Sequence, residues 1–180
     1  MILAVDVHYT ENRAKVAGVA FENWEDRFPQ REYVSSIESV AEYEPGMFFQ
    51  RELPCILQLV AEHELRPKII IVDGYVYLDG HSKAGLGKHL YDALHGEVIV
   101  IGIAKKSFKG IDRRYRVYRG NSKKPLYVTA VGLEIDQARE HVRKMHGKHR
   151  LPSLIKRADQ VCKGIGSSAL GRGVTLESRL

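Results

Sequence analysis

Apolar and polar positions switch between two periods along this chain, and the switches divide it into elements. Ile2-Leu-Ala-Val5 and Ile69-Ile-Ile-Val72 are unbroken apolar runs, the pattern of strands buried on both faces. Each run leads directly into a carboxylate, Asp6 in the first and Asp73 in the second. Residues 2–8, Lys15 to Phe21 and, more weakly, Arg31 to Ile37 read as three strands before any helix. The polar turn Thr10-Glu-Asn-Arg13 is short enough to make the first two an antiparallel hairpin. Glu42-Tyr-Glu-Pro-Gly46 reads as a turn from its Pro-Gly pair. Beyond it Leu53, Ile56, Leu57, Val60 and Ala61 fall on one helical face. Pro54 must lie in the first turn or kink the helix, so the start is expected near Gln50 to Leu53. Glu52 then sits at the N-terminal end, where a carboxylate also suits the helix dipole.

The second half continues the alternation. A strand at 68–73 leads into a Gly- and His-containing loop at 74–87, and a short helix follows to about Leu94. Glu97-Val-Ile-Val-Ile101 reads as another buried strand. Tyr115 to Tyr118 and Leu126 to Val131 read as a peripheral pair. Glu134 to Met145 is a charged helix, and Pro152 opens a last one with Ala158, Val161 and Cys162 facing inward. The order predicts an α/β fold, a mixed sheet with helices on both faces, in one domain over residues 1–163. Residues 164–180, rich in Gly and Ser, read as a flexible tail.

Composition narrows the class. At 180 residues, 44% hydrophobic and 28% charged, the chain resembles ordinary soluble domains. No apolar run approaches the roughly 18 residues of a membrane span. Met1 leads straight into the first strand, which reads as leaving no room for a targeting peptide. The two cysteines, Cys55 and Cys162, fit a reducing compartment, so the expected location is the cytoplasm. The net charge of +6 is modest, but residues 104–124 hold nine Lys or Arg with three aromatics and one Asp. Lys106, Arg113 and Arg114 belong to this stretch, whose basic and aromatic mixture suits phosphate contact and base stacking. A solvated ribbon has the same composition.

Asp6 and Asp73 at the ends of two central strands are a plausible divalent-cation site, although either alone could simply cap a turn. The order of elements also resembles the ribonuclease H-like architecture. That fold places acids on the first strand, first helix, fourth strand and a late helix, and here Asp6, Glu52, Asp73 and Asp159 stand in those places.

Several short motifs in order resemble the endonuclease V family of deoxyinosine-directed nucleases. They are Glu42-Tyr-Glu-Pro-Gly-Met-Phe-Phe-Gln-Arg-Glu52, Val72-Asp-Gly74, Ile101-Gly-Ile-Ala-Lys-Lys106, Lys124-Pro-Leu-Tyr-Val128, and Arg150-Leu-Pro152 with Ala158-Asp159. The resemblance implies that Asp6, Glu52 and Asp73 bind Mg²⁺, with Mn²⁺ as a substitute, and that Asp159 lies beside them. Mg²⁺ prefers hard oxygen ligands and can activate a water and stabilise a leaving oxygen. Lys105 would bring positive charge to the scissile phosphate. Tyr43, Pro45 and Gly46 would form a wedge entering DNA at the lesion, and backbone near Gly74 would line the hypoxanthine pocket. The implied reaction is single-strand cleavage 3′ to a deaminated base, by a monomer.

The chain departs from the family pattern after Val72-Asp-Gly74, where Tyr-Val-Tyr-Leu-Asp-Gly-His81 replaces the usual His-Gly and His-Pro-Arg. His81 is the nearest candidate for the family's catalytic His, with Asp79 and His89 as rivals. Glu44 replaces an apolar residue in the wedge, and Ala130-Val-Gly-Leu133 replaces a Ser-x-Gly-His run. Other readings are a same-fold nuclease for inosine RNA or branched DNA, and a nucleic-acid-binding protein without turnover. An actin-like ATPase half is disfavoured, because Val7-His8-Tyr9 stands where a glycine-rich phosphate turn is needed.

Overall fold

Three antiparallel strands open the chain, β1 (Ile2–Thr10), β2 (Arg13–Phe21) and β3 (Arg31–Ile37). A computed structural model describes residues 1–166 of the 180. After β3 come α1 (Phe48–Glu62), β4 (Ile69–Asp73), α2 (Leu86–Ala93), β5 (Ile99–Ala104) and β6 (Arg116–Val117). The strand β7 (Leu126–Val131) and the helices α3 (Ile135–Lys144) and α4 (Ser153–Cys162) follow. The seven strands form one sheet in the order β3-β2-β1-β4-β5-β7-β6. Its centre, β1-β4-β5, is parallel, which explains why those strands are nearly continuous apolar runs: helices cover both of their faces.

Strand alternation sends successive residues to opposite sides. Ala4, Ile71 and Ile101 meet Ala138, Val142, Leu154 and Ala158 of α3 and α4. Leu3, Val5, Ile70 and Val72 meet Ile56 and Leu59 of α1 and Leu90 of α2. Leu59 is fully buried, a gain of about 1.5–3 kcal/mol over exposure. A glycine makes this approach close: a Cβ on Gly18 of β2 would stand 2.8 Å from Leu59 Cδ2 and 3.0 Å from Leu3 Cδ1. Gly18 therefore sets how near α1, and with it Glu52, lies to the sheet.

The expected boundaries shift in ways local physics explains. The helix α1 begins at Phe48, so Pro54 falls in its second turn rather than its first. Pro54 is exposed, as is Gln50 four residues earlier, so the carbonyl left without its N–H partner is on the water side. The strand expected at 97–101 runs instead from Ile99 to Ala104. The peripheral strand expected at 115–118 shrinks to Arg116–Val117. Tyr115 instead closes a 3₁₀ turn and lies against Gly80, where a Cβ would come within 2.2 Å of its ring. After α4 the chain turns back through Gly164 (φ +75°). Ile165 N–H donates to Gln160 O (2.8 Å) and Gly164 N–H to Val161 O (3.0 Å), a Schellman closure. Residues 167–180, most of the tail read from the sequence, lie outside the described residues.

Candidate active site

Register brings the first two acids together. Val5 of β1 pairs with Val72 of β4, so Asp6 and Asp73 follow at the same level on neighbouring parallel strands. They continue the Ala4 and Ile71 rows, on the α3 and α4 side. Asp73 pairs with Ile103 of β5, and Lys105, two residues beyond, returns to the same face. Its Nζ donates to Asp73 Oδ2 at 2.6 Å. Arg150 secures the backbone here, donating to Lys105 O and to Pro125 O at 2.8 Å. Asp6 Oδ1 accepts the Val7 N–H at 2.9 Å. Asp159 enters from α4, near enough for its charge to act on Asp6, and pairs with Lys163 one turn later at 2.5 Å. Glu52 comes from the opposite face, on the first turns of α1, and is only 6% exposed.

Burial and mutual repulsion shift the acids upward. Burial, then the charge of Asp73, lifts Asp6 to about 6. Burial lifts Glu52 to about 8, opposed by the Tyr9 hydroxyl and reinforced by Asp6 and Asp73. That hydroxyl lies beside the Glu52 carboxylate but outside full hydrogen-bond geometry, and Tyr9 Oη has no partner among the described residues. Burial works to lower Lys105, yet Asp73, with Asp6 and Asp159, outweighs it and holds the amine charged.

Hard oxygen donors, partly or fully buried and repelling one another, are the chemistry a divalent cation relieves, so Asp6, Glu52 and Asp73 fit such an ion in type. Among the described residues no three acids or imidazoles stand in joint reach of one ion. The oxygen of Asp73 nearest Lys105 is engaged by the amine.

Beside the cluster, Glu44-Pro-Gly-Met47 closes a type II turn, with Met47 N–H donating to Glu44 O at 3.0 Å and Gly46 at φ +83°. Tyr43 projects from it, 61% exposed. Gly74 has φ +151° and open space where a Cβ would stand. The next residues are held close: Val76 N–H donates to Thr129 Oγ1 at 2.8 Å. A Cβ on Gly102 would lie 2.5 Å from Gly74 O.

The loop that departs from the family pattern is built around Asp79. Its carboxylate accepts the N–H groups of His81 (3.0 Å), Ser82 (2.8 Å) and Lys83 (2.9 Å) and the Ser82 hydroxyl. The Ser82 hydroxyl and these amides hold Asp79 well below the usual carboxylate range. His81 is exposed at the loop tip, and Asp79 is the one described carboxylate within 4 Å of it. The ring of His89 stacks on Phe49 at 3.8 Å, in the turn of α1 that carries Glu52. The structure thus gathers Asp6, Glu52, Asp73, Lys105 and Asp159, and leaves His81 outside that group.

The basic stretch divides. Lys106, Arg113 and Arg114 are exposed, and Lys105 belongs to the acids. Arg119 is buried and donates to the carbonyls of Met145, Gly147 (3.2 Å), His149 (3.0 Å) and Arg150 (3.3 Å), so it braces the fold. Tyr9, Arg51 and Thr129 were missed by sequence reasoning. Only Arg51 had a signal, lying inside a quoted motif.

A family profile described as Endonuclease V matches residues 1–119. A relative named Endonuclease V from Streptomyces avermitilis is 31% identical over 143 residues, 67% of this chain and 60% of the relative. Another of that name, from Rippkaea orientalis, is 24% identical over 92% of this chain and 80% of its own length. The chain therefore spans about 60% of the Streptomyces relative. The crystal structure of the Streptomyces avermitilis Endonuclease V shares 26% identity and a TM-score of 0.74, covering 91% of this chain and 79% of that one. Endonuclease V of Ciona intestinalis, in complex with a 23mer DNA containing an inosine followed by a ribo-adenosine, shares the fold at 17% identity. Its TM-score is 0.74, over 91% of this chain and 83% of that one.

Proposed function

Because the chain belongs to the endonuclease V family, we propose that it is a Mg²⁺-dependent endonuclease cutting DNA at a phosphodiester 3′ to deoxyinosine. The observation that supports this reading is the convergence of Asp6, Asp73 and Lys105, at or just beyond the ends of three parallel strands, with the buried Glu52 of α1. Asp6, Glu52 and Asp73 hold the ion, with Mn²⁺ able to replace Mg²⁺. When bound, the ion supplies positive charge and Lewis acidity at the phosphodiester. Lys105 adds a second positive charge there, and Asp159 borders the cluster through Asp6.

Substrate recognition falls to the surface around the cluster. Tyr43, Pro45 and Gly46 present a rigid aromatic tip suited to filling the gap an extruded base leaves. The open side of Gly74 lets hypoxanthine approach backbone groups. Lys106, Arg113 and Arg114 meet phosphates. Asp79 is spent on its turn and His89 on Phe49, so the exposed His81 is the acid–base candidate. The reading takes the protein as a cytoplasmic monomer with residues 1–163 as its catalytic domain. No described helix is long and apolar enough to cross a membrane.

The test is a nicking assay with Mg²⁺ on an end-labelled duplex bearing one deoxyinosine. Undamaged duplex, inosine-containing RNA, branched DNA and an Asp73→Ala enzyme run beside it. A cut 3′ to deoxyinosine that the variant lacks is the expected result. Cleavage confined to RNA or branched DNA would move the substrate assignment and keep the site. Binding without cleavage on every substrate would overturn the enzymatic reading.

A further inference from the structure

Glu52 is the most buried acid of the cluster, and two residues that none of the recognised roles uses pack around it. Tyr9 lies three residues beyond Asp6 on β1, so alternation turns it to the opposite face, against α1. Its hydroxyl stands beside Glu52 and Cys55, successive residues on one face of that helix. Among the described residues the hydroxyl is buried with no hydrogen-bond partner, and a buried O–H is costly to leave unpaired. Arg51, next to Glu52 in sequence, lays its guanidinium over the Tyr9 ring, 4.1 Å from the centroid. Its Nε is likewise buried without a partner among the described residues. The same guanidinium lies 6.0 Å from the ring of Tyr43, near the outer limit of a cation–π contact. One cation therefore sits between the ring beside the acids and the ring at the exposed turn.

We propose that Tyr9 and Arg51 are positioning residues: Arg51 fixes the Tyr9 ring, the Tyr9 hydroxyl orients the Glu52 carboxylate, and Arg51 ties the Tyr43 turn to the acid cluster. The inference rests on the reading of Glu52 as an ion-holding acid. It assigns different consequences to the two residues. Tyr9→Phe removes the hydroxyl and keeps the ring, so the stack under Arg51 and the Tyr43 turn stay in place. Arg51→Met keeps an apolar stem but removes the planar cation, so both ends are released.

The experiment uses the full chain and three readouts: Mn²⁺ affinity by isothermal titration, kcat and KM on the deoxyinosine duplex, and preference for that duplex over an undamaged one. For Tyr9→Phe, Mn²⁺ affinity and kcat fall about tenfold, the scale of losing a partner that orients a metal-site carboxylate. KM and lesion preference stay at the wild-type values. For Arg51→Met, affinity, kcat and lesion preference all fall, and Arg51→Lys restores charge without restoring them. A Tyr9→Phe protein with wild-type Mn²⁺ affinity and kcat overturns the proposal, whatever Arg51→Met does to folding. Should the wild-type chain cut no inosine substrate, the proposed function fails separately. The Mn²⁺ titration of Tyr9→Phe then still decides the positioning role.

Discussion

Glu52→Gln should make the metal-free protein more stable, and the size of the gain should depend on pH. Burial lifts Glu52 from 4.5 to about 8, so between those values the native state holds a proton that the unfolded chain has lost. A group raised in this way contributes stability that is complete below about 4.5 and is lost as pH rises through about 8. The ceiling on that gain, set by the distance from 4.5 to about 8, is about 5 kcal/mol. Relaxation around a buried charge lowers the realised penalty. Half the ceiling still moves Tm by about 5–10 °C in a chain of this length. Glutamine keeps the shape and cannot ionise. Scanning calorimetry on EDTA-treated proteins should show the variant melting higher at pH 8.5, with the gap closing toward pH 4.5. Taking the difference between the two proteins removes the acid titration they share. Saturating Mg²⁺ should close the gap from the other side, since an ion at 100 times its Kd adds about 2.7 kcal/mol to the protein that binds it. Equal melting at pH 8.5, or a gap that does not vary with pH, would refute the claim that Glu52 is held against its own charge.

Lys105→Met should strengthen Mn²⁺ binding several-fold, because Asp73 loses its 2.6 Å cation, while cleavage slows about 100-fold from loss of charge at the phosphate. Titration and nicking moving in parallel would argue against separate roles for the amine and the ion. In Gly102→Ala the new methyl meets the Gly74 carbonyl, which is backbone and must shift. A cost of about 1–3 kcal/mol in thermal unfolding should accompany a larger loss of kcat than of substrate affinity; unchanged kcat would separate Gly74 from the site. Tyr43→Ala should leave Tm in place, since the ring is largely exposed, and should reduce preference for deoxyinosine duplex in competition binding. An equal loss on undamaged duplex would reject a wedge role.

What could be read from the sequence was whatever local periodicity encodes. The runs ending in Asp6 and Asp73 announced buried strands because β1 and β4 lie inside a sheet covered on both faces. The apolar stripe from Leu53 to Ala61 announced α1. Its start was placed a few residues late because Pro54 is tolerated in the second turn when the unpaired carbonyl faces water, a matter of exposure that no local pattern reports. Asp6, Glu52, Asp73, Lys105 and Asp159 are all legible in the sequence as candidates. Register explains the strand residues, since each follows a paired position by one or two steps. Arg119 shows the opposite case: within a basic ribbon it looks like a phosphate ligand, and only the path of residues 145–150 turns it inward. Asp79 likewise looks like a rival to His81 until three amides converge on its carboxylate. Tyr9 gave no signal, because its importance lies in what α1 sets opposite it.

The placement of Glu52 also explains why the cluster is built across both faces of the sheet. Asp6 and Asp73 are rigid by construction, fixed by ladder hydrogen bonds on adjacent strands. The third acid belongs to a helix, whose distance from the sheet is a packing variable set by Gly18 and Leu59 and whose first turns lead into the exposed Tyr43 turn. The Tyr43 turn, a wedge on the proposed function, is joined through α1 to Glu52, whereas Asp6 and Asp73 are carried by the sheet. Burial makes that connection count, because a carboxylate held at about 8 near neutral pH changes its protonation with small changes in its surroundings. On the proposed function, two acids on strands and one on a helix give a site with a fixed base and a third acid carried by the helix that follows the Tyr43 turn.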